Sequence, residues 1–517
     1  QRSRLWNRGD GRRPAVGTCS HCRGLCRRPG RGVFGAGSRF EVSHGVEGRL
    51  RPIGTSESGE KDDAVEAIDY FFIVMGSLGV LLIGLWLLKQ AVPLHWRRLT
   101  LPTTTWYAYI IFLVIPSLWI GVWEAPPTSS LTLVLLLSAA ATIPIGVLGA
   151  TVLWRSSPKE IQNFYTAEME PVSSWQRNRV LILTALTLLF SILFFFETGI
   201  PPFIQAILHP GEYNLLSGLR QQVTTDLQSG FSLIYFMLRQ FGWAFVLSCW
   251  LGIAWTEHWP LKRWFMFSLL FAFGLFYCSA TLVRSPAVVL FIVIFFFYYL
   301  FQGGRIPLSR IFLIPILAFV VPILVLFLHD PLRSWESIFI GIVQRVFYAP
   351  AKLNFQYLEL FPQKIDFLYG KGIGKVSQVL SLFDPSYEYF PVSQEVYRRL
   401  FPNSPYRGSA PAPFVGMAYA NWGWIGPPLY GLGIGFLLQS LQIWLIRQRK
   451  NLFLLAAHAV LFYSFFEINR TDFFATLLSY GGLIMPLFLI LLQAKWDRKR
   501  SASRGVLLWE KPFSEGV

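Results

Sequence analysis

Charged residues are scarce in this chain. Asp, Glu, Lys and Arg make up 15% of its 517 residues, while hydrophobic residues make up 53%. Soluble domains commonly have about a quarter of their residues charged, because most of their surface meets water. The shortage excludes a set of ordinary soluble domains and indicates that much of the surface meets a nonpolar solvent.

Cysteine is scarce as well, with five residues. Cys19, Cys22 and Cys26 are grouped near the N-terminus, but no second spaced pair of ligands follows, and a structural zinc site usually takes four ligands. Cys249 and Cys278 lie in apolar runs, where cysteine packs as a small hydrophobic residue. We therefore expect no metal site.

Motifs of soluble enzymes are missing, since neither His-Glu-x-x-His nor Gly-x-Ser-x-Gly occurs. Segment 370–375 has glycines and lysines like those of a phosphate loop, but its spacing is wrong and no Ser or Thr follows Lys375, so a turn is predicted. The net charge of +17 belongs largely to the N-terminal stretch and to loops. It forms no basic face with interleaved aromatics, and nucleic-acid binding is not expected.

Eleven apolar runs are long enough to cross about 30 Å of hydrocarbon as helices. They are apolar on all sides, whereas helices of a soluble core carry a polar stripe. We predict an all-α polytopic integral membrane protein with about eleven transmembrane helices and one large extracytoplasmic segment. The predicted spans are 69–89, 106–123, 130–154, 180–198, 231–255, 264–282, 287–302, 311–329, 428–446, 452–468 and 475–493.

Lys and Arg are concentrated in alternate loops, which predicts the orientation. Short cytoplasmic loops retain positive charge because it resists translocation. The basic set consists of 89–98, 155–177, 262–263, 305–310, 447–450 and the tail 495–511. The other set has no basic residue in 124–129, and only Arg220, Arg284 and Arg470 in the next short connections. We predict an N-out, C-in chain with 330–427 outside.

The predicted organisation has five segments. Residues 65–329 hold helices one to eight, 428–493 hold helices nine to eleven, and 330–427 and 494–517 form the extracytoplasmic segment and a cytoplasmic tail. Residues 1–64 are rich in Arg and Gly, contain no Met and would place positive charge outside. We expect them to be a disordered or non-native basic extension, with Val65 as a natural start.

Segment 330–427 is too long to be a structureless loop without a function. Apolar residues recur at helical spacing from Ile338 to Phe347, and a second apolar stretch runs from Leu353 to Leu360. We predict amphipathic helices that lie on the outer surface and cover a cavity.

Arginines lie at or near the predicted outer surface, and Arg239 is inside the fifth span. An arginine at membrane depth normally faces a polar cavity or a partner. Guanidinium binds phosphate oxygens in a bidentate manner and keeps its charge, so a shared cavity would suit a lipid-linked pyrophosphate. The alternative is that each arginine reaches the surface alone or pairs with a neighbour such as Asp472. The candidate substrate-binding residues are Arg220, Arg239, Arg284, Arg345, Arg407 and Arg470.

Two segments resemble a known family. Residues 279–286, Ser-Ala-Thr-Leu-Val-Arg-Ser-Pro, are similar to the arginine-containing turn of the O-antigen and oligosaccharide repeat-unit polymerases. Residues 410–426, Ala-Pro-Ala-Pro-Phe-Val-Gly-Met-Ala-Tyr-Ala-Asn-Trp-Gly-Trp-Ile-Gly, resemble the stretch that leads from their large periplasmic loop into the next helix. The family often has an acidic residue near the position of Met417, and this chain departs from it there.

The resemblance implies a glycosyltransferase at the outer face of the bacterial cytoplasmic membrane. Such enzymes polymerise oligosaccharide units carried on undecaprenyl pyrophosphate into O-antigen, capsule or exopolysaccharide, without a nucleotide, metal or other cofactor. Its partners would be this lipid-linked oligosaccharide, membrane lipid and a chain-length regulator protein. Arginines would stabilise the departing pyrophosphate, and a carboxylate or His would accept the acceptor's proton. The favoured catalytic residues are Glu467 and Asp472, with Glu359, Asp366 and His329 as alternatives.

Two other functions fit these features. A ligase that moves glycan from the same lipid to another acceptor would share nearly all of them. A flippase or another transporter for lipid-linked oligosaccharide would also be polytopic and aromatic. Transporters commonly consist of two repeated halves, and no internal repeat is visible here.

Overall fold

The computed structural model describes residues 59–93, 99–224, 230–283, 285–304, 320, 323 and 334–493. Within the last range, residues 375–376, 378–379, 385–386 and 404–407 are not described. This part of the chain is α-helical and contains no strand, so the predicted all-α polytopic membrane protein is confirmed. The chain divides into two units, Gln1–Asp62 and Asp63–Val517, and the membrane helices belong to the second. Residues 1–58, the tail 494–517 and nearly all of the predicted span 311–329 lie outside the described residues.

The described helices follow one another in a simple order. They are α1 (Gly59–Ala91), α2 (Leu101–Trp123), α3 (Ser129–Leu153), α4 (Pro158–Thr166), α5 (Ser174–Thr198), α6 (Pro202–Leu208), α7 (Tyr213–Thr224), α8 (Ser232–Glu257), α9 (Leu261–Ser279), α10 (Ser285–Phe301), α11 (Trp335–Val343), α12 (Ala349–Leu360), α13 (Val392–Leu400), α14 (Phe414–Trp422), α15 (Gly426–Ile446), α16 (Leu452–Phe466), α17 (Phe473–Leu478) and α18 (Ile484–Gln493).

Eight of these stretches are long and apolar enough to cross a membrane, and α10 and α18 are shorter apolar helices. A π-helical turn widens α2 at Ile110–Val114 and α8 at Leu238–Gly242, and a third, Gln344–Tyr348, joins α11 to α12. A 3₁₀ turn, Gly423–Ile425, joins α14 to α15, so these two helices form one long apolar stretch.

Helix α16 lies at the centre of the bundle. In its apolar window 94% of the residues are buried, and it packs against α2, α8 and α10. The corresponding fractions are only 28% for α5 and 17% for α9. Apolar residues that face outward are stable only in a nonpolar solvent, so α5 and α9 form a lipid-facing edge.

Helices α3 and α15 make the closest helix pair. A Cβ added at Gly435 would meet the carbonyl oxygen of Ile143 at 2.0 Å, and one added at Gly146 would meet that of Leu432 at 2.1 Å. Glycine at these positions lets the two backbones approach, as small residues do between membrane helices.

Loops that carry the predicted inner charges contact one another. Arg447 forms an ion pair with Glu160 at 3.0 Å, and the Lys450 ammonium donates to the backbone carbonyls of Tyr165 and Ala167 at 3.0 and 2.7 Å. At a different site, Lys352 of α12 pairs with Glu124, which joins the large segment to a loop predicted to lie on the same side. Which end faces the cell exterior stays a prediction.

The predicted span 475–493 is not one helix. Helix α17 ends at Leu478, the chain turns through Gly481 with φ of +95°, and α18 begins at Ile484. The hydroxyl of Ser464 donates to the carbonyl of Tyr480 at 2.6 Å and so ties the turn to α16. Helices α16 and α18 are therefore joined by the connection 467–483, which includes α17 and carries Glu467, Arg470 and Asp472.

Candidate functional site

Arg239 lies in the π-helical turn of α8. Its Nη1 donates to the hydroxyl of Thr281 at 3.0 Å, and its guanidinium lies 5.9 Å from the ring centre of Phe236. The Nε atom is buried and has no hydrogen-bond partner among the described residues. Because an unmet buried donor is unfavourable, Arg239 is suited to receive an anionic ligand.

Arg470 begins the connection after α16 and pairs with a buried carboxylate. Its Nη1 lies 3.4 Å from Oε1 of Glu467, whose side chain is 7% exposed. Glu467 raises the pKa of Arg470, and burial opposes that effect. The guanidinium is therefore charged and held in place, while 41% of its side chain stays accessible.

The phenol of Tyr480 lies within electrostatic range of both arginines, and its ring packs against Phe236 beside Arg239. Burial and the nearby Glu467 raise the pKa of its phenol to about 12, and the positive charges of Arg470 and Arg239 oppose them. Arg220 of α7 is near enough to Arg239 to interact with it electrostatically. Three of the six predicted arginines thus lie in one region, the arginine cluster of Arg220, Arg239 and Arg470.

Of the other three predicted arginines, the structure describes Arg345 alone. Arg345 is exposed on the turn Gln344–Tyr348, and its neighbour Phe347 stacks on Phe112 at 5.0 Å. Arg284 and Arg407 lie outside the described residues. The helical spacing of 338–347 placed Arg345 away from the apolar face, and its exposure agrees with that pattern.

Asp472 caps the N-terminus of α17. Its Oδ2 accepts the backbone N–H groups of Phe474 and Ala475 at 3.0 and 3.2 Å, while its Oδ1 is buried without a hydrogen-bond partner among the described residues. Burial raises the pKa of this carboxyl to about 6, although the backbone hydrogen bonds lower it. A carboxyl with this pKa can accept a proton near neutral pH.

Three tyrosines from distant parts of the chain lie within electrostatic range of Asp472. Burial raises the pKa of Tyr357 and of Tyr389, and the charge of Asp472 raises both further. Tyr430 of α15 also lies within electrostatic range of Asp472. The hydroxyl of Tyr357 donates to the carbonyl of Ala410 at 2.9 Å, whereas half of Tyr389 is exposed. The carboxylate therefore lies where the large segment meets the bundle, a neighbourhood that the sequence pattern did not reveal.

A polar cavity of about 280 Å³ lies between α12 and α13. Glu359, one alternative base, lines it, whereas Asp366 is exposed and His329 lies outside the described residues. The remaining lining residues are Gln356, Leu360, Lys364, Arg399 and Leu400.

No group of three or more His, Cys, Asp or Glu side chains in the described part of the chain could hold a metal ion. Comparison of the chain with protein-family models, with curated proteins and with solved structures finds no match.

Proposed function

We propose that this chain is a membrane-embedded glycosyltransferase that polymerises undecaprenyl-pyrophosphate-linked oligosaccharide units at the outer face of the bacterial cytoplasmic membrane. The observation that carries the proposal is the connection 467–483. It holds Asp472, one of whose oxygens is buried without a hydrogen-bond partner among the described residues, and Arg470, which like Arg239 interacts electrostatically with Tyr480.

The arginine cluster is assigned to the pyrophosphate. Transfer breaks the bond between the anomeric carbon of the growing chain and the pyrophosphate oxygen, and the bond's electron pair leaves with the pyrophosphate. Guanidiniums of Arg239 and Arg470 would stabilise that charge, which develops only as the bond breaks. Planar guanidinium suits phosphate oxygens better than a lysine ammonium does.

Asp472 is assigned as the general base. A hydroxyl of the incoming unit forms the new bond to the anomeric carbon, and its proton passes to the carboxylate. Exposed aromatic rings such as Tyr389, close to this carboxylate, can stack on the apolar face of a sugar. Asp472 would thereby supply the acidic side chain that this chain lacks at Met417.

Glu467 is assigned a positioning part rather than that of the base. Its Oε1 already pairs with Arg470 at 3.4 Å, and it is buried. Protonating Glu467 would release Arg470, so the two residues work better as a fixed pair. This assignment separates the two carboxylates that the sequence suggested together.

The proposal is tested in a strain whose surface polysaccharide depends on this chain. Arg239→Ala and Arg470→Ala are expected to leave single lipid-linked units at the outer face without long chains. Arg345→Ala is the matched control, since Arg345 is exposed and, among the described residues, has no electrostatic interaction with Arg239 or Arg470, and it should keep long chains.

The length and sidedness of lipid-linked glycan distinguish the rival functions. Full-length chains that accumulate on the carrier would reject polymerisation and indicate a ligase. Single units trapped on the cytoplasmic side would reject it too and indicate a transporter. Equal loss in Arg345→Ala would show that the effect does not come from the cluster.

A further inference from the structure

A second cavity lies between α5, α8 and α9, and none of its lining residues belongs to the arginine cluster or to the connection 467–483. Its volume is about 470 Å³. One wall is apolar, and the opposite rim is charged. The apolar residues are Leu181, Trp250, Ile253, Met266, Phe267 and Leu270, and the rim consists of Arg177, Glu257, Trp259 and Arg263.

The rim holds two arginines around one carboxylate. Glu257 Oε1 lies 3.2 Å from Nε of Arg177, and Glu257 Oε2 lies 3.5 Å from Nη1 of Arg263. The indole N–H of Trp259 donates to the same Oε2 at 3.3 Å. The carboxylate fixes both guanidiniums but neutralises only one of their two charges, so a net positive charge remains at the rim.

Both arginines keep donors available. Each pairs with Glu257 through a single nitrogen, and their side chains are 49% and 60% exposed, while that of Glu257 is 22% exposed. Guanidinium presents five N–H groups in a planar fork. The remaining donors of Arg177 and Arg263 therefore lie where an anion at the cavity mouth can reach them.

The apolar wall belongs to the lipid-facing edge. Leu181 and Met266 are 52% and 62% exposed, which is stable only against hydrocarbon. Trp250 is held by a hydrogen bond from its indole N–H to the hydroxyl of Thr184 at 2.8 Å, and its ring lies 5.6 Å from that of Trp259. Paired indoles beside basic residues are typical of the boundary between headgroups and acyl chains.

We propose that this cavity binds an anionic phospholipid, such as phosphatidylglycerol. Its phosphate would lie between Arg177 and Arg263, and an acyl chain would follow Leu181, Met266 and Leu270. Charge complementarity selects the anionic headgroup, and the apolar wall selects a lipid over a free anion. This inference does not depend on the proposed function, because the arginine cluster and Asp472 take no part in it.

The test measures lipid binding to the purified full-length protein by native mass spectrometry, with phosphatidylglycerol or phosphatidylcholine added. Arg177→Gln and Arg263→Gln are each expected to weaken phosphatidylglycerol binding about five-fold, and the double variant about 25-fold, the effect of losing one basic contact with an anionic lipid each time. Phosphatidylcholine should bind more weakly than phosphatidylglycerol to the parent protein and about equally to the double variant.

Arg179→Gln is the matched control. Arg179 lies on the same helix, but its guanidinium is 4.9 Å above the ring of Trp175 and it does not line the cavity. It should bind like the parent. Leu270→Trp tests the apolar wall separately, because the larger side chain fills the cavity while both arginines remain. This variant should also bind phosphatidylglycerol more weakly.

Three outcomes would overturn the inference. The first is parental phosphatidylglycerol affinity in the double variant, and the second is an equal loss in Arg179→Gln. The third is competition by inorganic phosphate that matches the lipid in strength, which would mean that the apolar wall contributes nothing. Thermal unfolding without added lipid should be alike in all variants, and it separates lost binding from lost folding.

Discussion

Replacing Asp472 by Asn should change stability and activity in opposite directions. The carboxyl has a pKa of about 6, above the ordinary 3.8, because it is buried. Each pKa unit corresponds to about 1.4 kcal/mol, so keeping it ionised in the folded protein costs about 3 kcal/mol. Asn removes this charge and can still cap α17. Asp472→Asn should therefore be more stable at pH 7, by up to about 3 kcal/mol.

The sign follows from proton linkage. A folded-state pKa above the unfolded one means that the folded protein binds the proton more tightly. The stability that the carboxyl contributes is present in full below its ordinary pKa of 3.8 and is lost as pH rises through about 6. The stability difference between Asn and the parent should accordingly grow from pH 4 to pH 7. Asp472→Ala, which also loses the cap, should fall below Asn by about 1 kcal/mol.

Activity should decline although stability improves. Removing a general base typically lowers the rate about 10²- to 10⁴-fold. In the parent protein, the polymerisation rate should fall about ten-fold per pH unit below the Asp472 pKa of about 6. The residual rate of the Asp472→Asn variant should not show this decrease at low pH. The assays are thermal unfolding in detergent between pH 4 and 7 and product length at the same pH values. A stabilised variant with parental activity would refute the catalytic assignment, and a destabilised Asn would refute the burial argument.

Two further predictions concern the bundle. Gly435→Ala should destabilise the protein by roughly 1–3 kcal/mol through overpacking, because the new Cβ meets the carbonyl oxygen of Ile143. Gly433→Ala is the control and should leave stability unchanged, because a Cβ there meets nothing within 4 Å. Equal thermal unfolding of the two variants would contradict the close contact between α3 and α15. Cysteines introduced at the exposed positions Lys159 and Leu382, in a background without native cysteines, should differ toward an impermeant reagent added to intact cells. Leu382→Cys should react and Lys159→Cys should not, and the reverse result would invert the predicted orientation.

The membrane helices could be predicted because hydrocarbon imposes length and apolarity on each span separately. Eight of the eleven predicted runs correspond to described helices that are long and apolar enough to cross a membrane, and 287–302 corresponds to the shorter helix α10. The run 475–493 is interrupted, and nearly all of 311–329 lies outside the described residues. The break between α17 and α18 escaped prediction, because residues 475–493 are apolar enough to suggest one helix. It depends on the turn at Gly481 and on the hydrogen bond from Ser464, which no hydropathy pattern contains.

The residues of the candidate site could be predicted from the sequence, but their contacts could not. Arg239, Arg470 and Asp472 could be predicted as candidates because a charged residue in an apolar stretch is energetically costly and usually has a partner or a function. Their partners come from long-range packing: Asp472 lies near Tyr357 and Tyr389, which are distant in sequence. Local spacing carries no information about such contacts.

The most direct test of the central claim is the product of the purified protein in liposomes. Undecaprenyl-pyrophosphate-linked units from the strain that carries the chain would be supplied, and the lipid-linked glycan would be separated by length. We expect a ladder in steps of one unit for the parent protein, a ladder unaffected by Arg345→Ala, and single units with Arg470→Ala or Asp472→Asn. Single units only, with the parent protein folded and supplied with substrate on both faces, would contradict it.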